Sequence, residues 1–134
     1  MSLEKAIQAA QTQIPECLAI GYVDMQTGML LGVKTVDSHP SEVLDLVAAA
    51  TAEMFQGPTI LTIEKHFKRV RGHAQDDIHY FQEIAVWSQN LLHVFLRGKK
   101  HTSHATVIVC RASANVGMVL AKSRMIHPTI EAAL

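Results

Sequence analysis

Hydrophobic and polar residues alternate with two different periods over the first third of the chain. Leu3 and Ile7 belong to a set of apolar residues spaced three to four positions apart, which predicts an amphipathic helix that Ser2 can cap and Pro15 ends. Two nearly continuous apolar segments follow and flank a turn that contains Gly28, which is typical of a β-hairpin. Because both faces of these strands are apolar, we expect a sheet that is covered on both sides.

The later part of the chain continues with helices and strands, without an internal repeat or a low-complexity linker. His127 and Pro128 should end the last helix and leave residues 128–134 as a tail. The full pattern predicts helices at residues 2–14, 59–71 and 116–126, a further helix that starts within residues 38–42 and runs to about residue 56, and strands at residues 17–23, 29–36, 78–88, 91–97 and 105–110. We therefore expect one domain over residues 1–134.

The second predicted helix is apolar over an arc of roughly 200°, about twice what one sheet face requires. Val43, Leu44 and Val47 lie on this arc. Either the predicted helix at residues 59–71 covers the surplus within one chain, or a second chain covers it. The second account is favoured, because pairing of identical chains is the commonest form of oligomer and an uncovered strand edge invites pairing. A flat apolar patch over these three residues and Phe55 would support it.

The predicted third strand carries two large aromatic side chains, Phe81 and Trp87. Aromatic residues are enriched at the centres of protein interfaces, so both are candidates for the same contact surface. Both are equally suited to the core of the domain. The sequence alone leaves these two roles open.

Composition narrows the class of protein further. Of the 134 residues 49% are hydrophobic, which is enough for a sizeable core, and 12 Lys and Arg balance 12 Asp and Glu. This balance argues against nucleic acid as the partner, because proteins built to bind it usually carry a basic excess. No apolar run approaches the roughly 20 residues that span a bilayer, and no apolar leader follows the N terminus. We expect no membrane segment and a cytoplasmic location.

One basic helix face is a candidate site for an anionic partner. On the predicted helix at residues 59–71, basic residues are interleaved with the apolar positions, and such a face can contact an acidic protein, a phosphate or a membrane surface. The simpler account is a solvated face whose charge Asp76 and Asp77 partly neutralise. The basic residues concerned are Lys65, Lys68, Arg69 and Arg71.

Residues that could carry catalysis or hold a metal ion show no recognisable arrangement. The chain has eight histidines and two cysteines, and His101 and His104 form the closest histidine pair, but a structural zinc site needs four ligands at recurring spacings. Cys17 and Cys110 lie in apolar strands and are expected to be buried, reduced thiols. The chain also lacks a Gly-rich phosphate loop, a Ser-His-acid set and a His-Glu-x-x-His pattern. We therefore predict no enzyme activity, no metal and no cofactor.

Two segments are similar to the roadblock, or dynein light chain-like, family. The sequence IGYVDMQTGML at residues 20–30 resembles the first hairpin of that family, and ASANVGMV at residues 112–119 resembles its entry to the last helix. The order of the predicted helices and strands agrees with the family nearly throughout. The departure is the segment at residues 58–77, which compact members of the family do not need.

The resemblance implies a profilin-like α+β fold. In this fold a central five-stranded antiparallel sheet has helices on both faces, and the helix at residues 59–71 would be an insertion before the third strand. The first and last strands are neighbours in the implied sheet. Cys17 and Cys110 should therefore lie within about 12 Å of each other.

The resemblance also implies a function. Roadblock-like proteins generally lack an active site, form homodimers or heterodimers through the second helix and third strand, and scaffold or regulate small Ras-like GTPases or motor complexes. We therefore expect a homodimeric adaptor or regulator. Because profilin-like folds are related to ligand-binding sensor folds, the alternative is a small-molecule sensor. A cavity of several hundred Å³ with convergent polar groups would favour that alternative.

Overall fold

The computed structural model describes residues 2–36, 41–71, 79 and 81–134, and the side chains of residues 41–45 lie outside this description. The helices are α1 (Leu3–Gln13), α2 (Ser41–Gln56), α3 (Pro58–Arg71) and α4 (Val116–Ala132). The strands are β1 (Cys17–Asp24), β2 (Met29–Thr35), β3 (Glu83–Trp87), β4 (Leu91–Arg97) and β5 (His104–Arg111). The predicted order is confirmed, including a helix between α2 and β3.

All five strands form one antiparallel sheet in the order β2-β1-β5-β4-β3. β1 therefore lies between its hairpin partner β2 and the last strand β5. Cys17 is the register partner of Cys110 across β1 and β5, which confirms that the two cysteines are neighbours. Helices lie on both faces of the sheet, so the predicted α+β fold is confirmed.

Local sequence explains the first elements. The Ser2 hydroxyl accepts a hydrogen bond from the Lys5 backbone N–H at 3.2 Å, which caps α1. Between β1 and β2, Gly28 adopts a φ of 72°, a conformation that side chains disfavour. Its N–H donates to the Asp24 carbonyl at 2.8 Å and closes the turn. The hairpin register is therefore fixed by turn chemistry that the sequence already contains.

On the first face of the sheet, α1 and α4 enclose the main core. Alternate residues of the strands point to this face and pack against one apolar stripe of each helix. Burial of each such aliphatic side chain contributes about 1.5–3 kcal/mol relative to exposure. The fully buried aliphatic members are Ile7, Ile20, Leu92, Val94, Ile108, Val119 and Ile130.

Among the described residues, the second face of the sheet is covered in part. α2 packs over the end of the sheet near the β1–β2 turn, where Val23, Phe55 and Phe95 form a smaller core. Val33 of β2, which borders the open part, remains 39% exposed. A single helix about 10 Å wide cannot span five strands spaced about 4.8 Å apart, so α2 leaves part of this face open.

The last helix does not end where its sequence suggests. α4 continues through Pro128 to Ala132, so the predicted tail at residues 128–134 is wrong. Pro128 removes one backbone hydrogen bond from the helix, but the turn beyond it is anchored. Ile130 is fully buried in the main core. The Glu131 carboxylate accepts hydrogen bonds from three successive backbone N–H groups, those of Lys99, Lys100 and His101, at 3.2, 2.9 and 2.7 Å.

The third strand is shorter than predicted. β3 begins at Glu83, whereas the sequence pattern predicts a strand from residue 78, and residues 78 and 80 lie outside the described part of the chain. Just before the strand, the carbonyl of Phe81 accepts a hydrogen bond from the side chain of Arg97 at 2.8 Å instead of joining the ladder. A tertiary contact therefore sets the start of β3.

Candidate protein-interaction surface

Helix α2 packs one face on the sheet and leaves another face uncovered. Ala48, Thr51 and Phe55, spaced three to four residues apart, are fully buried. The Thr51 hydroxyl donates to the carbonyl of Val47 at 2.8 Å, which satisfies its hydrogen-bonding group within the helix. On the adjacent face, Leu46 is 70% exposed and Val47 is 39% exposed. One part of the apolar arc of α2 therefore packs on the sheet, and another part is exposed to solvent.

Helix α3 does not cover this face of α2. The buried residue of α3 is Glu64. The helix leaves its own apolar residues open, since Leu61 and Phe67 are each 38% exposed and Val70 is 72% exposed. The account in which α3 closes the surplus within one chain is therefore wrong for Leu46 and Val47.

Four of the residues predicted for an interface fall on α2. Val43 and Leu44 belong to the part of α2 whose side chains lie outside the described residues. Val47 is partly exposed, as an interface requires. Phe55 is fully buried, so its predicted place on a contact surface is wrong, because the helix turns that position toward the sheet.

The Arg97 side chain contacts Phe55 and Phe81, which is the fifth residue predicted for the interface. Its guanidinium carbon lies 4.9 Å from the centre of the Phe55 ring. Its Nη2 donates to the Phe55 carbonyl at 3.1 Å, and its Nε donates to the Phe81 carbonyl. Phe81 itself packs, partly buried, against the smaller core. Both phenylalanines are therefore structural in this chain.

The Arg97 side chain is 2% exposed and joins four segments. Besides the two phenylalanine carbonyls, its Nη1 donates to the Gln56 side chain at 3.2 Å and to the Thr102 carbonyl at 2.9 Å. Burial lowers the pKa of Arg97, while the negative charge of Glu64 raises it. The sequence pattern places Arg97 at the start of a polar turn and carries no signal of this role.

The sixth predicted residue, Trp87, lies on β3 and is 56% exposed. Among the described strands, β3 lies at the edge of the sheet and pairs with β4 on one side. A hydrogen bond lies just beyond each end of the β3–β4 pairing. Arg97 N donates to Gln82 O at 2.8 Å, and Ser88 N donates to Leu91 O at 2.9 Å. Because N–H groups alternate sides along an antiparallel strand, the N–H of Ala85 points to the open edge. β3 therefore presents both an aromatic side chain and backbone donors.

The predicted basic face lies on the C-terminal half of α3. Lys65, Arg69 and Arg71 are exposed, and Lys68 is half-buried. Lys68, Arg69 and Arg71 occupy the last turn, where cations interact favourably with the partial negative charge of the helix end. This interaction within the helix accounts for part of the basic cluster without a ligand.

Together, α2 and α3 present a long apolar surface. Within the described chain, the helical stretch Leu46–Arg71 is long and apolar enough to cross a membrane by length and composition, and 17% of its most apolar window is buried. The same properties are typical of a helical surface that another protein chain covers. Gly57 separates the two helices, Pro58 begins α3, and the basic residues of α3 lie near the end of the stretch.

The two cysteines form a buried pair. A hydrogen bond between the thiols lowers the pKa of Cys17 and, together with burial, raises the pKa of Cys110. Both remain free thiols. Their interaction with each other is that of neighbouring core residues.

Three of the described histidines, His101, His104 and His127, make local packing or hydrogen-bond contacts. The Tyr22 hydroxyl lies 3.0 Å from His104 Nδ1, and the His101 ring stacks on His104 with ring centres 5.1 Å apart. His127 is buried between the Thr106 hydroxyl, 2.9 Å from Nδ1, and a backbone carbonyl that accepts from Nε2 at 3.1 Å. His127 is 4% exposed and therefore belongs to the interior of the domain. Among the residues that the structure describes, no three potential ligand side chains are grouped to hold a metal ion.

A cavity of about 360 Å³ opens on the half of the second sheet face that α2 leaves uncovered. Ala19 and Gly21 of β1 form its floor, and Val47 of α2 stands at one side. Among the described residues that line it, nearly all are apolar, and Thr35 and His93 supply the polar side chains. It has the volume predicted for a sensor domain, but not a converging set of polar groups.

Comparison with known proteins bears on the fold. No family model matches the sequence. No curated protein matches it either. Among solved structures, the Roadblock/LC7 domain from Streptomyces avermitilis has a TM-score of 0.68 over 98% of this chain and 97% of that chain, at 11% sequence identity. The chain has the Roadblock/LC7 fold.

Other structures with the Roadblock/LC7 fold match over similar lengths. The gliding protein MglB from Thermus thermophilus has a TM-score of 0.69 and 15% identity, over 96% of this chain and 85% of that one. MglC from Myxococcus xanthus has a TM-score of 0.62 and 16% identity over the whole of both chains. The resemblance seen in two short sequence segments is confirmed at the level of the fold.

Proposed function

We propose that this chain is a non-enzymatic, homodimeric interaction module of the cytoplasm that acts as an adaptor or regulator. The observation that carries the proposal is the uncovered apolar face of α2. Leu46 is 70% exposed on a helix whose opposite face is fully buried. Exposing this face to water is unfavourable by about 25 cal/mol for each Å², and a second copy of the helix would cover it.

The open edge of β3 supports the same mode of assembly. An unpaired edge strand is a template for pairing with another chain. In a symmetric dimer the same surface is used on both subunits, so two β3 strands would pair and extend the sheet. Trp87, exposed beside this edge, supplies an aromatic contact of the kind enriched in interfaces.

The proposed target is a small Ras-like GTPase or a larger complex, as the roadblock resemblance implies. One structural neighbour is described as MglB with a tetrameric arrangement, with a TM-score of 0.69 and 16% identity over 97% of this chain and 88% of that one. That protein uses this fold in an assembly, which supports a protein partner for the present chain. Free, adjacent thiols at Cys17 and Cys110 suit a reducing compartment such as the cytoplasm.

The absence of catalysis in this proposal is supported by the use of the buried ionisable groups. Arg97, His127 and Glu131 are all engaged in hydrogen bonds within the fold. The thiols of Cys17 and Cys110 interact with each other. These five buried groups of the described chain therefore serve structural contacts, which supports a role without catalysis.

The test is the solution mass of the purified chain, measured by light scattering after size exclusion, for the wild type, Leu46→Asp and Met118→Asp. We expect a dimeric wild type and a folded, monomeric Leu46→Asp variant. Met118→Asp is the matched control, since Met118 is 47% exposed on α4, which lies on the other face of the sheet. A monomeric wild type, or a dimer that Leu46→Asp leaves intact, would contradict the proposed use of α2.

A further inference from the structure

The cavity on the second sheet face has a structural cause. Thr35, Ala19, Val109 and His93 are successive register partners across β2, β1, β5 and β4. In this row the small side chain of Ala19 lies between larger neighbours. In the next row Gly21 has no side chain, and Leu30 lies above it, since a Cβ there would be 3.1 Å from Leu30 Cδ1. The small side chain of Ala19 therefore leaves a depression in this apolar face, and Leu30 borders it.

The depression has the dimensions of a small-molecule site. Its volume of about 360 Å³ lies within the range of roughly 300–1,000 Å³ that is typical of ligand pockets. The row from Thr35 to His93 crosses three strand spacings, or roughly 14 Å. A slender, extended molecule fits this shape better than a compact polar one.

Two polar side chains face the cavity without hydrogen-bond partners in the described part of the chain. The structure shows no hydrogen bond to the Thr35 hydroxyl or to the His93 ring from any of the described residues. The His93 ring is held by stacking on Phe95, with the ring planes 9° apart. Burial lowers the pKa of His93, so at neutral pH its imidazole offers one donor and one acceptor.

We propose that this cavity binds a single apolar chain with one hydrogen-bonding head group, the chemistry of a medium-chain fatty alcohol or fatty acid. The apolar chain lies over Ala19, and the head group meets the His93 imidazole. Val47 borders both this cavity and the proposed dimer face, but the proposed ligand site does not rest on the dimer.

The test is a titration of the full chain with 1-decanol and, separately, with decanoate, followed by calorimetry and by the NMR signals of the valine methyl groups. We expect saturable binding of at least one probe, with shifts at Val33 and Val109, which line the cavity. Ala19→Leu fills the floor and should weaken binding at least about tenfold, because it displaces the apolar chain. Ala9→Leu places the same side chain on the exposed surface of α1 and is the matched control.

A second variant removes the polar contact and keeps the packing. His93→Phe retains an aromatic ring beside Phe95 but has no ring nitrogen, and we expect it to weaken binding of the probe about tenfold, the effect of one lost hydrogen bond. The difference between the two probes identifies the head group. A site that prefers decanoate takes an acid, and a site that prefers 1-decanol takes a neutral alcohol.

Three results would overturn the proposal. The first is no saturable binding of either probe, and the second is binding that both Ala19→Leu and His93→Phe leave unchanged. The third is binding to monomeric Leu46→Asp but not to a dimeric wild type, which would mean that the second copy fills the cavity. A monomeric wild type that binds 1-decanol would instead contradict the proposed dimer and support the ligand site, so the two ideas fail separately.

Discussion

The guanidinium of Arg97 lies 4.9 Å from the centre of the Phe55 ring, and the same side chain donates a hydrogen bond to the Phe55 carbonyl at 3.1 Å. The last turn of α2 is thereby fixed to the end of β4. A cation is suited to this place, because the carbonyl end of a helix carries partial negative charge. The contact also orients α2, whose other face is proposed to meet a partner.

We expect Arg97→Met to lower the free energy of unfolding by roughly 3 kcal/mol, because buried carbonyl groups lose a charged donor. Arg69→Met is the matched control on the exposed surface of α3, and its effect should stay within about 0.5 kcal/mol. Urea unfolding followed by circular dichroism measures both. Equal effects of the two substitutions would show that the Arg97 contacts contribute little.

The open edge of β3 makes a separate prediction for dimerisation. Because the N–H of Ala85 faces away from β4, Ala85→Pro should keep the β3–β4 pairing and prevent strand pairing between two chains. Light scattering should show a monomer for Ala85→Pro and a dimer for Ala85→Thr, which retains the N–H. If Ala85→Pro remains dimeric, the dimer does not use this edge.

The last turn of α4 can be tested by truncation. A chain that stops after His127 loses Ile130 from the core and Glu131 from the β4–β5 turn. We expect a loss of about 3 kcal/mol or more in the free energy of unfolding, as for other large deletions from a core. Removing only Leu134, which is 54% exposed, should have little effect. Equal stability of both truncated chains would contradict the anchoring of residues 128–132.

His127 should make the stability depend on pH. Burial lowers its pKa from the ordinary value of 6.5, so below that pH the unfolded chain binds a proton that the folded chain does not. The free energy of unfolding should therefore be highest above pH 6.5 and should fall as the pH is lowered toward the folded-state pKa.

Burial also lowers the pKa of His93 and His104, so these residues contribute to the same pH dependence. The contribution of His127 is therefore found by comparing how steeply the free energy of unfolding changes with pH in the wild type and in a His127 variant. Urea unfolding between pH 7.5 and 5.5 should show a smaller slope for His127→Gln than for the wild type, by up to about 1.4 kcal/mol for each pH unit. An unchanged slope would mean that His127 does not titrate differently in the two states.

Much of the fold could be predicted from local patterns. The hairpin with Gly28, the caps at Ser2 and Asn115 and the strand Leu91–Arg97 all depend on residues close in sequence. The candidate interface could be predicted less well. The arc on α2 is visible in the sequence, but which of its residues meets the sheet depends on how the helix lies, and Phe55 turned inward while Val47 stayed outward.

The sequence by itself determined the order of the elements, the neighbouring cysteines through the family resemblance, and the surplus of apolar surface on α2. These follow from periodicity, turn residues and short segments, which act over a few positions. The tertiary structure alone decided that α4 continues past Pro128, that Arg97 joins four segments, and that Ala19 and Gly21 form the floor of a cavity. Each of these depends on groups far apart in the chain, whose contacts outweigh the local preference or create a space that local preference does not describe.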